Sequence, residues 1–448
     1  MVSMKIKLPA TVKLILDGLH ANGHEAYIVG GCVRDSILGR DPVDWDITTS
    51  ALPSQIKKIF HRTVDTGIQH GTVTVLVGSR ACEVTTYRID GTYSDSRHPD
   101  EVTFTSNLSE DLLRRDFTIN AMAYNEKEGL IDLYGGMKDL QRKKICCVGN
   151  ANERFSEDAL RILRAVRFSA QLHFGIDRLT ALAMMDLAPT LKNISAERIC
   201  SELLKLICSD HPEYLRVAYE AGLTRVFLPE FDAMMETAQN TPYHIYNVGD
   251  HTLAAMQNIR SDKVLRLSML LHDVGKPQVR TTDSYGTDHF KMHGPVGAGK
   301  AVDILHRLKL DNDTISKVRI LVLYHDWRMG AEEKEIRHAL HMVGPDLFPL
   351  LMEVQRADTL AKSNYTQQER LNRIDQVSRY AVEIQKRGDP ITLKELAIDG
   401  SDLITLGIPA GPRIGEMLNE ALDLVLDDPL KNRKDILISF LREQRGLR

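Results

Sequence analysis

Residues 30–46 read Gly-Gly-Cys-Val-Arg-Asp-Ser-Ile-Leu-Gly-Arg-Asp-Pro-Val-Asp-Trp-Asp. An apolar run, Ala-Tyr-Ile-Val, leads into Gly30 and Gly31, then Arg34 and Asp35 precede a short apolar turn ending at Gly39. The pattern predicts a strand, a glycine turn, a short helix and a second strand carrying Asp44 and Asp46. Alternate strand residues share a face, so the two carboxylates point the same way. Carboxylates side by side repel unless a cation lies between them, which points to a Mg²⁺ site. Glycines after a strand let backbone N–H groups approach a phosphate closely, and Arg34 adds positive charge. Together these parts predict metal-assisted nucleotidyl transfer. Taken singly, alternate aspartates are more often a solvated face and a glycine pair more often a plain turn.

The rest of the chain bounds this reading. At 448 residues, two to four domains are expected. Lys+Arg 57 against Asp+Glu 61 leaves a net charge of −4, so any nucleic-acid role must rest on local basic patches. The six cysteines form no C-x-x-C pair, which excludes a zinc ribbon or a disulfide framework. No apolar run reaches membrane-spanning length and no signal-like segment precedes Pro9, so a cytoplasmic protein with no membrane partner is expected.

Outward from the opening stretch, Val12, Ile15, Leu16 and Leu19 predict a helix over 9–22. Residues 72–77 and 81–87 predict a strand pair, with Glu83 a candidate third carboxylate beside Asp44 and Asp46. The polar stretch 90–99 predicts a loop near the site. Leu-Arg-Arg-Asp-Phe-Thr-Ile-Asn-Ala (113–121) places Arg114 and Arg115 at an apolar helix, which demands an anion. The bland reading is an arginine paired with Asp116. A helix is predicted over 152–172, where Asp158 and Arg161 are three apart and therefore neighbours on one face.

Gly-Gly-x-Val-Arg-Asp, Asp-Trp-Asp, then Arg-Arg-Asp-Phe-Thr-Ile-Asn-Ala, Gly135-Gly136-x-x-Asp139-Leu140 and Glu157-Asp158-x-x-Arg161 occur in this order. This series resembles the class II tRNA nucleotidyltransferases, the CCA-adding enzymes and related poly(A) polymerases, over roughly residues 25–205. The resemblance implies an α+β protein: a small mixed-sheet nucleotidyltransferase head (1–150), then an all-helical neck (151–228), body (229–388) and tail (389–448). It implies that Asp44 and Asp46 hold two Mg²⁺ ions, one activating the RNA 3′-hydroxyl and one holding the triphosphate and leaving pyrophosphate. Gly30, Gly31, Arg34, Asp35, Arg114, Arg115, Asp116 and Asn120 would surround the nucleotide. Asp158 and Arg161 would read the base. Cytosine and adenine both present an amino donor beside a ring-nitrogen acceptor, which a carboxylate and a guanidinium match, whereas uracil and guanine mismatch both contacts. The bland alternative is an intrahelical ion pair of a few tenths of a kcal/mol, ~0.2–0.5. Arg164 and Arg167 would add phosphate contacts, a solvated face being the alternative for Arg167. Glu197-Arg198 resembles the motif that braces the nucleotide pocket.

A second constellation lies further on. His272-Asp273 closes the apolar run 265–271 before Val-Gly-Lys-Pro, His251 lies in a helical stretch, and Asp358 follows Arg-Ala. His251, His272, Asp273 and Asp358 resemble the metal set of HD-domain phosphohydrolases. Histidines with carboxylates suit Mn, Fe, Ni or Co better than Mg. His293 and His325 are candidates for a phosphate or a second metal. At the tail, the Gly407 to Gly415 turn resembles a phosphate-backbone clamp. Lys431, Arg433, Lys434, Arg442, Arg445 and Arg448 make a basic end suited to tRNA.

The expected activity is addition and repair of the tRNA 3′-terminal CCA from CTP and ATP. The alternatives are an A-adding enzyme, a poly(A) polymerase, or, from another class, a metal-dependent HD phosphohydrolase. CC-only relatives lack the loop over 86–105 that this chain has.

Overall fold

The structure, a computed structural model, describes residues 5–78, 80–91 and 102–445. They form two compact units, Met1–Pro229 and Glu230–Arg448.

The first unit opens with α1 (Ala10–Ala21), whose predicted stripe of Val12, Ile15, Leu16 and Leu19 is buried. Then come β1 (Ala26–Val29), α2 (Gly31–Ile37), β2 (Ile47–Thr49), α3 (Pro53–Ile59), β3 (Thr63–Gly67), β4 (Thr72–Val77) and β5 (Arg80–Thr86). β6 (Arg88–Asp90) pairs antiparallel with β7 (Val102–Phe104). Of the loop predicted over 90–99, Asp90 ends β6 and residues 92–99 lie outside the described residues. α4 (Leu108–Leu113), β8 (Ala123–Asn125), β9 (Gly129–Ile131) and α5 (Gly136–Arg142) follow. The helical part contains α6 (Ala151–Glu157), α7 (Leu160–Leu172), α8 (Arg178–Leu187) and α9 (Ala196–Ile207).

Seven strands form one mixed sheet in the order β3-β4-β5-β2-β1-β8-β9. β2 runs parallel to β5, with Ile47 opposite Val84, and antiparallel to β1. Strand β1 is apolar throughout because every residue is buried. Tyr27, Val29, Tyr87, Leu108, Leu112 and Ala123 pack as one cluster beside it.

Two expectations about elements are corrected here. Asp44 and Asp46 precede β2 rather than lie within it. Pro42 has no N–H to offer a ladder, and only the Asp46 carbonyl reaches β1, accepting from Val29 N at 3.0 Å. The helix predicted over 152–172 is broken between α6 and α7, where Asp158 is extended (φ −139°, ψ 103°). The apolar stripe is continuous through the break, so periodicity alone does not register it.

The second unit is helical apart from a hairpin at Thr281–Thr282 and Asp288–His289. Its last core gathers Ile398, Leu403, Ile408, Met417, Ala421, Val425, Leu437 and Leu441. Residues 393–406 form a short 3₁₀ turn (Leu393–Glu395) and a helix (Gly400–Thr405), and the Gly407 to Gly415 turn leads into the helix Pro412–Asp427. Among the described residues, no helix is long and apolar enough to cross a membrane.

Candidate functional site

In the first unit the site gathers at the end of β1. Gly30 sits at φ +81°, and a Cβ there would come within 3.2 Å of Arg115 Nη1. Only glycine lets the chain turn left-handed while a guanidinium lies against it. The parallel β2–β5 register, one step before Ile47 and Val84, brings Asp46 level with Glu83. Desolvation raises the Asp46 carboxyl above its ordinary value; Arg115 opposes, while the negative charges of Glu83 and Asp44 push it further up. Asp44, Asp46 and Glu83 are all exposed. The negative charges of Glu83 and Asp44 both reach Asp46, and carboxylate oxygens are the donors that a hard divalent cation takes.

Around this triplet each cation has a defined anchor. Arg34 is buried and grips both oxygens of Asp35 at 2.8 and 3.0 Å, while its Nη1 donates to Asn120 Oδ1 at 2.7 Å. Arg114 and Arg115 both turn to Asp111, at 2.8 and 3.4 Å, rather than to Asp116. Asp111 is fully buried, also accepts from Thr48 Oγ1 at 2.9 Å, and was not anticipated as a site residue. Its place three and four residues before the arginines was the available signal. Burial would raise the Asp111 carboxyl, but Arg114 and then Arg115 hold it below its ordinary value.

Asp116 instead receives Arg164 Nε at 2.8 Å, Asn120 Nδ2 at 3.1 Å and Phe117 N at 2.8 Å. Arg167 is not on a solvated face: it is buried and pairs with Glu202 at 2.6 Å. Burial pulls its guanidinium down to about 10 despite Glu202.

The predicted Asp158–Arg161 side-by-side pair is also corrected. Asp158 Oδ2 meets Arg198 at 2.7 Å, and Oδ1 caps Leu160 N at 3.0 Å. Arg161 reaches Glu157 at 2.5 Å and the Arg114 carbonyl at 3.0 Å. The i,i+3 geometry needs a continuous helix, which the break at Asp158 removes. Arg198 Nη1 is buried without a hydrogen-bond partner, a donor left for a ligand beside Asp158.

In the second unit, His251 (in the helix Val248–Gln257), His272 and Asp273 (closing the helix Lys263–Leu271) and Asp358 (in the helix Phe348–Leu360) converge. His251 Nε2 lies 2.9 Å from Asp358 Oδ1 and 3.3 Å from His272 Nε2, and His272 Nε2 lies 3.2 Å from Asp273 Oδ2. On the other side of Asp273, Oδ1 lies 3.7 Å from His293 Nε2 and 3.5 Å from His325 Nε2. Each histidine turns Nδ1 to a backbone carbonyl: His251 to Ala361, His272 to Met269, His293 to Phe290 and His325 to Val322. A carbonyl only accepts, so Nδ1 carries a proton and each ring turns its Nε2 inward. Asp273 Oδ2 is buried and accepts no well-directed hydrogen bond, although Lys276 Nζ lies 2.7 Å away. Burial would raise Asp273, but the His272 ring and Lys276 hold it well below the usual carboxylate range. Lys276 and Lys362, which pairs with Asp358, are further members that sequence reading did not single out. Gly275 makes the convergence possible, since a Cβ there would fall 2.3 Å from the His293 carbonyl. A cavity of about 810 Å³ opens over the cluster, with Lys276, Phe290, His325, Trp327, Arg328 and Lys362 among its lining.

The basic tail is partly neutralised: Arg433 pairs with Asp435 and Lys434 with Asp402. Arg448 lies outside the described residues.

Comparison with known proteins covers the chain from end to end. Family models match three stretches: "Poly A polymerase head domain" at residues 26–146, "Probable RNA and SrmB- binding site of polymerase A" at 173–235, and "tRNA nucleotidyltransferase domain 2 putative" at 296–441. The CCA-adding enzyme of Limosilactobacillus reuteri is 36% identical, over 98% of this chain and 99% of its own. That of Enterococcus faecalis is 34% identical over 96% and 95%. Among solved structures, the Bacillus stearothermophilus CCA-adding enzyme in complex with CTP aligns at a TM-score of 0.73 and 28% identity, covering 98% of both chains.

Proposed function

The chain belongs to the CCA-adding enzyme family, and from that premise we propose that it adds and repairs the 3′-terminal CCA of tRNA by template-independent nucleotidyl transfer from CTP and ATP. The observation that carries the chemistry is the placement of Asp44 and Asp46 at the glycine turn, with Glu83 at the register position beside Asp46. A divalent cation bound there, Mg²⁺ by preference, supplies the charge that activates the attacking hydroxyl and offsets the leaving pyrophosphate. Asp44 and Asp46 hold it. Gly30 and Gly31 open the backbone to the triphosphate, with Arg34 and Arg115 as its cationic walls. Asp111 keeps Arg115 in place.

Asp158 accepts from the amino group of cytosine or adenine and Arg161 donates to the ring nitrogen. Arg198, one nitrogen on Asp158 and one unpartnered, braces this reading edge. The reading places the enzyme with the tRNA pool, in the cytoplasm.

The test offers tRNA lacking CCA, CA or A together with labelled CTP or ATP and Mg²⁺. C, C and A should be added in turn, and then addition should stop. Failure to add C moves the assignment to an A-adding enzyme, and long A tails on other RNAs move it to a poly(A) polymerase. Asp44→Ala should abolish transfer and spare tRNA binding; full activity in that variant sinks the metal reading.

A second activity, metal-dependent phosphoester hydrolysis in the second unit, rests on the two close donor groups that share Asp273, one with His251 and His272 and one with His293 and His325. The mixed nitrogen and oxygen donors of His251, His272, Asp273 and Asp358 fit Mn, Fe, Ni or Co. Such a cation polarises a phosphoryl oxygen when bound. Lys276 and Lys362 add positive charge at the cavity floor. Metal analysis of the purified protein and hydrolysis of nucleoside 2′,3′-cyclic phosphates test it. Absence of bound metal, with no change on His272→Ala, ends it.

A further inference from the structure

Three guanidiniums gather on one aromatic ring. Arg34 from α2, and Arg164 and Arg167 from α7, place their central carbons 5.0, 5.4 and 4.0 Å from the centroid of Phe168. Like charges this close repel, and each is met by its own carboxylate: Asp35, Asp116 and Glu202. These carboxylates come from three separate segments. Among the described residues, the ring is a partner that all three arginines share. Its negative face attracts cations, more strongly where water is thin, and Phe168 is 6% exposed.

The ring is itself held. Phe117 meets it edge-on, 5.8 Å between centroids at 82°. Phe117 N also donates to Asp116. A continuous chain then runs from α7 to the glycine turn: Arg164 to Asp116 at 2.8 Å, Asn120 to Asp116 at 3.1 Å, and Arg34 to Asn120 at 2.7 Å. Arg34 Nη2 ends 3.6 Å from the space a Gly31 Cβ would fill. Phe168 therefore touches both ends of this chain.

We infer that Phe168 is a positioning residue for the incoming nucleotide: its π-face ties the arginine of the phosphate turn to the helix that follows the base-reading segment. The inference rests on the proposed role of Arg34 and α7 in nucleotide binding. Leucine would restore the burial but not the quadrupole, so the ring acts through its electrostatics as well as its volume.

The experiment replaces Phe168, in the full chain, with mono-, di- and trifluorophenylalanine, which drain the π-face while nearly preserving shape. KM for CTP and for ATP should climb stepwise, reaching about tenfold for the trifluoro ring. kcat, KM for tRNA and the melting temperature should stay near those of the parent. Phe168→Leu should raise both nucleotide KM values at least as much. Arg34→Ala, the control on the nucleotide site, should raise them further. Flat nucleotide KM values across the fluorinated series, with Arg34→Ala still impaired, reduce Phe168 to core packing and overturn the inference. Unchanged KM in Arg34→Ala overturns the nucleotide reading of this cluster, and the inference falls with it.

Discussion

Asp116 shows how much one buried carboxylate organises. It joins the segment after α4 to α7 through Arg164 and to the glycine turn through Asn120 and Arg34. Burial pushes its carboxyl up, but Arg164 outweighs that and holds it down at about 2, from 3.8. A depressed folded-state value means the stabilisation is complete above the unfolded value and is lost as pH falls through the folded one. Denaturant melts between pH 5 and pH 2 should therefore show a loss of about 2 kcal/mol from this group, flattened in Asp116→Asn. At the base-reading edge, Arg198→Met should leave Asp158 without its brace. Misincorporation of UMP relative to CMP should then rise about tenfold, the scale of one lost charge-assisted hydrogen bond. An unchanged ratio would remove Arg198 from recognition.

At the scale of elements, two interruptions matter more than the helices they interrupt. The break between α6 and α7 turns Asp158 away from Arg161 and toward α9, so that recognition draws on two helices and the joint between them. In the second unit, the turn after Asp273 lies so close to the helix His293–Arg307 that no side chain fits at Gly275. Gly275→Ala should cost about 1–3 kcal/mol of overpacking, read as a lowered melting temperature. It should also lower the transition-metal content of the purified protein, because it forces Asp273 and His293 apart. Normal metal content in a destabilised Gly275→Ala protein would separate packing from metal binding.

For the whole molecule, the division into units carries the prediction. The nucleotide cluster lies within Met1–Pro229, and the histidine–aspartate cluster lies within Glu230–Arg448. The two chemistries share no residue. His272→Ala should therefore empty the second unit of transition metal while leaving CMP and AMP incorporation into tRNA within about twofold, a change below ~0.5 kcal/mol. Loss of CCA addition in that variant would mean that the second unit serves the first through its metal. The net charge of −4 is no obstacle to an RNA partner, since the positive charge needed is local.

The sequence by itself determined what is periodic and what is contiguous. The α1 stripe and the β4–β5 pair were legible because each is a short-range pattern imposed by helix or strand geometry, while the glycine turn, the Asp-Trp-Asp pair and the His272-Asp273 doublet were legible as contiguous residues, although the strand predicted to carry Asp44 and Asp46 begins only at Ile47. The order of five motifs was enough to indicate the family. Partner choice was decided only in three dimensions. Glu83 lies level with Asp46 because a parallel register aligns two segments far apart in the chain. Arg167 finds Glu202 on another helix, and Asp158 finds Arg198 instead of the nearer Arg161. Phe168 reads in the sequence as one more apolar residue of an amphipathic helix. Its three arginines reach it because Asp35, Asp116 and Glu202 fix them there; Asp35 is the chain neighbour of Arg34, but Asp116 and Glu202 lie far along the chain from Arg164 and Arg167, and such long-range charge pairing leaves no period.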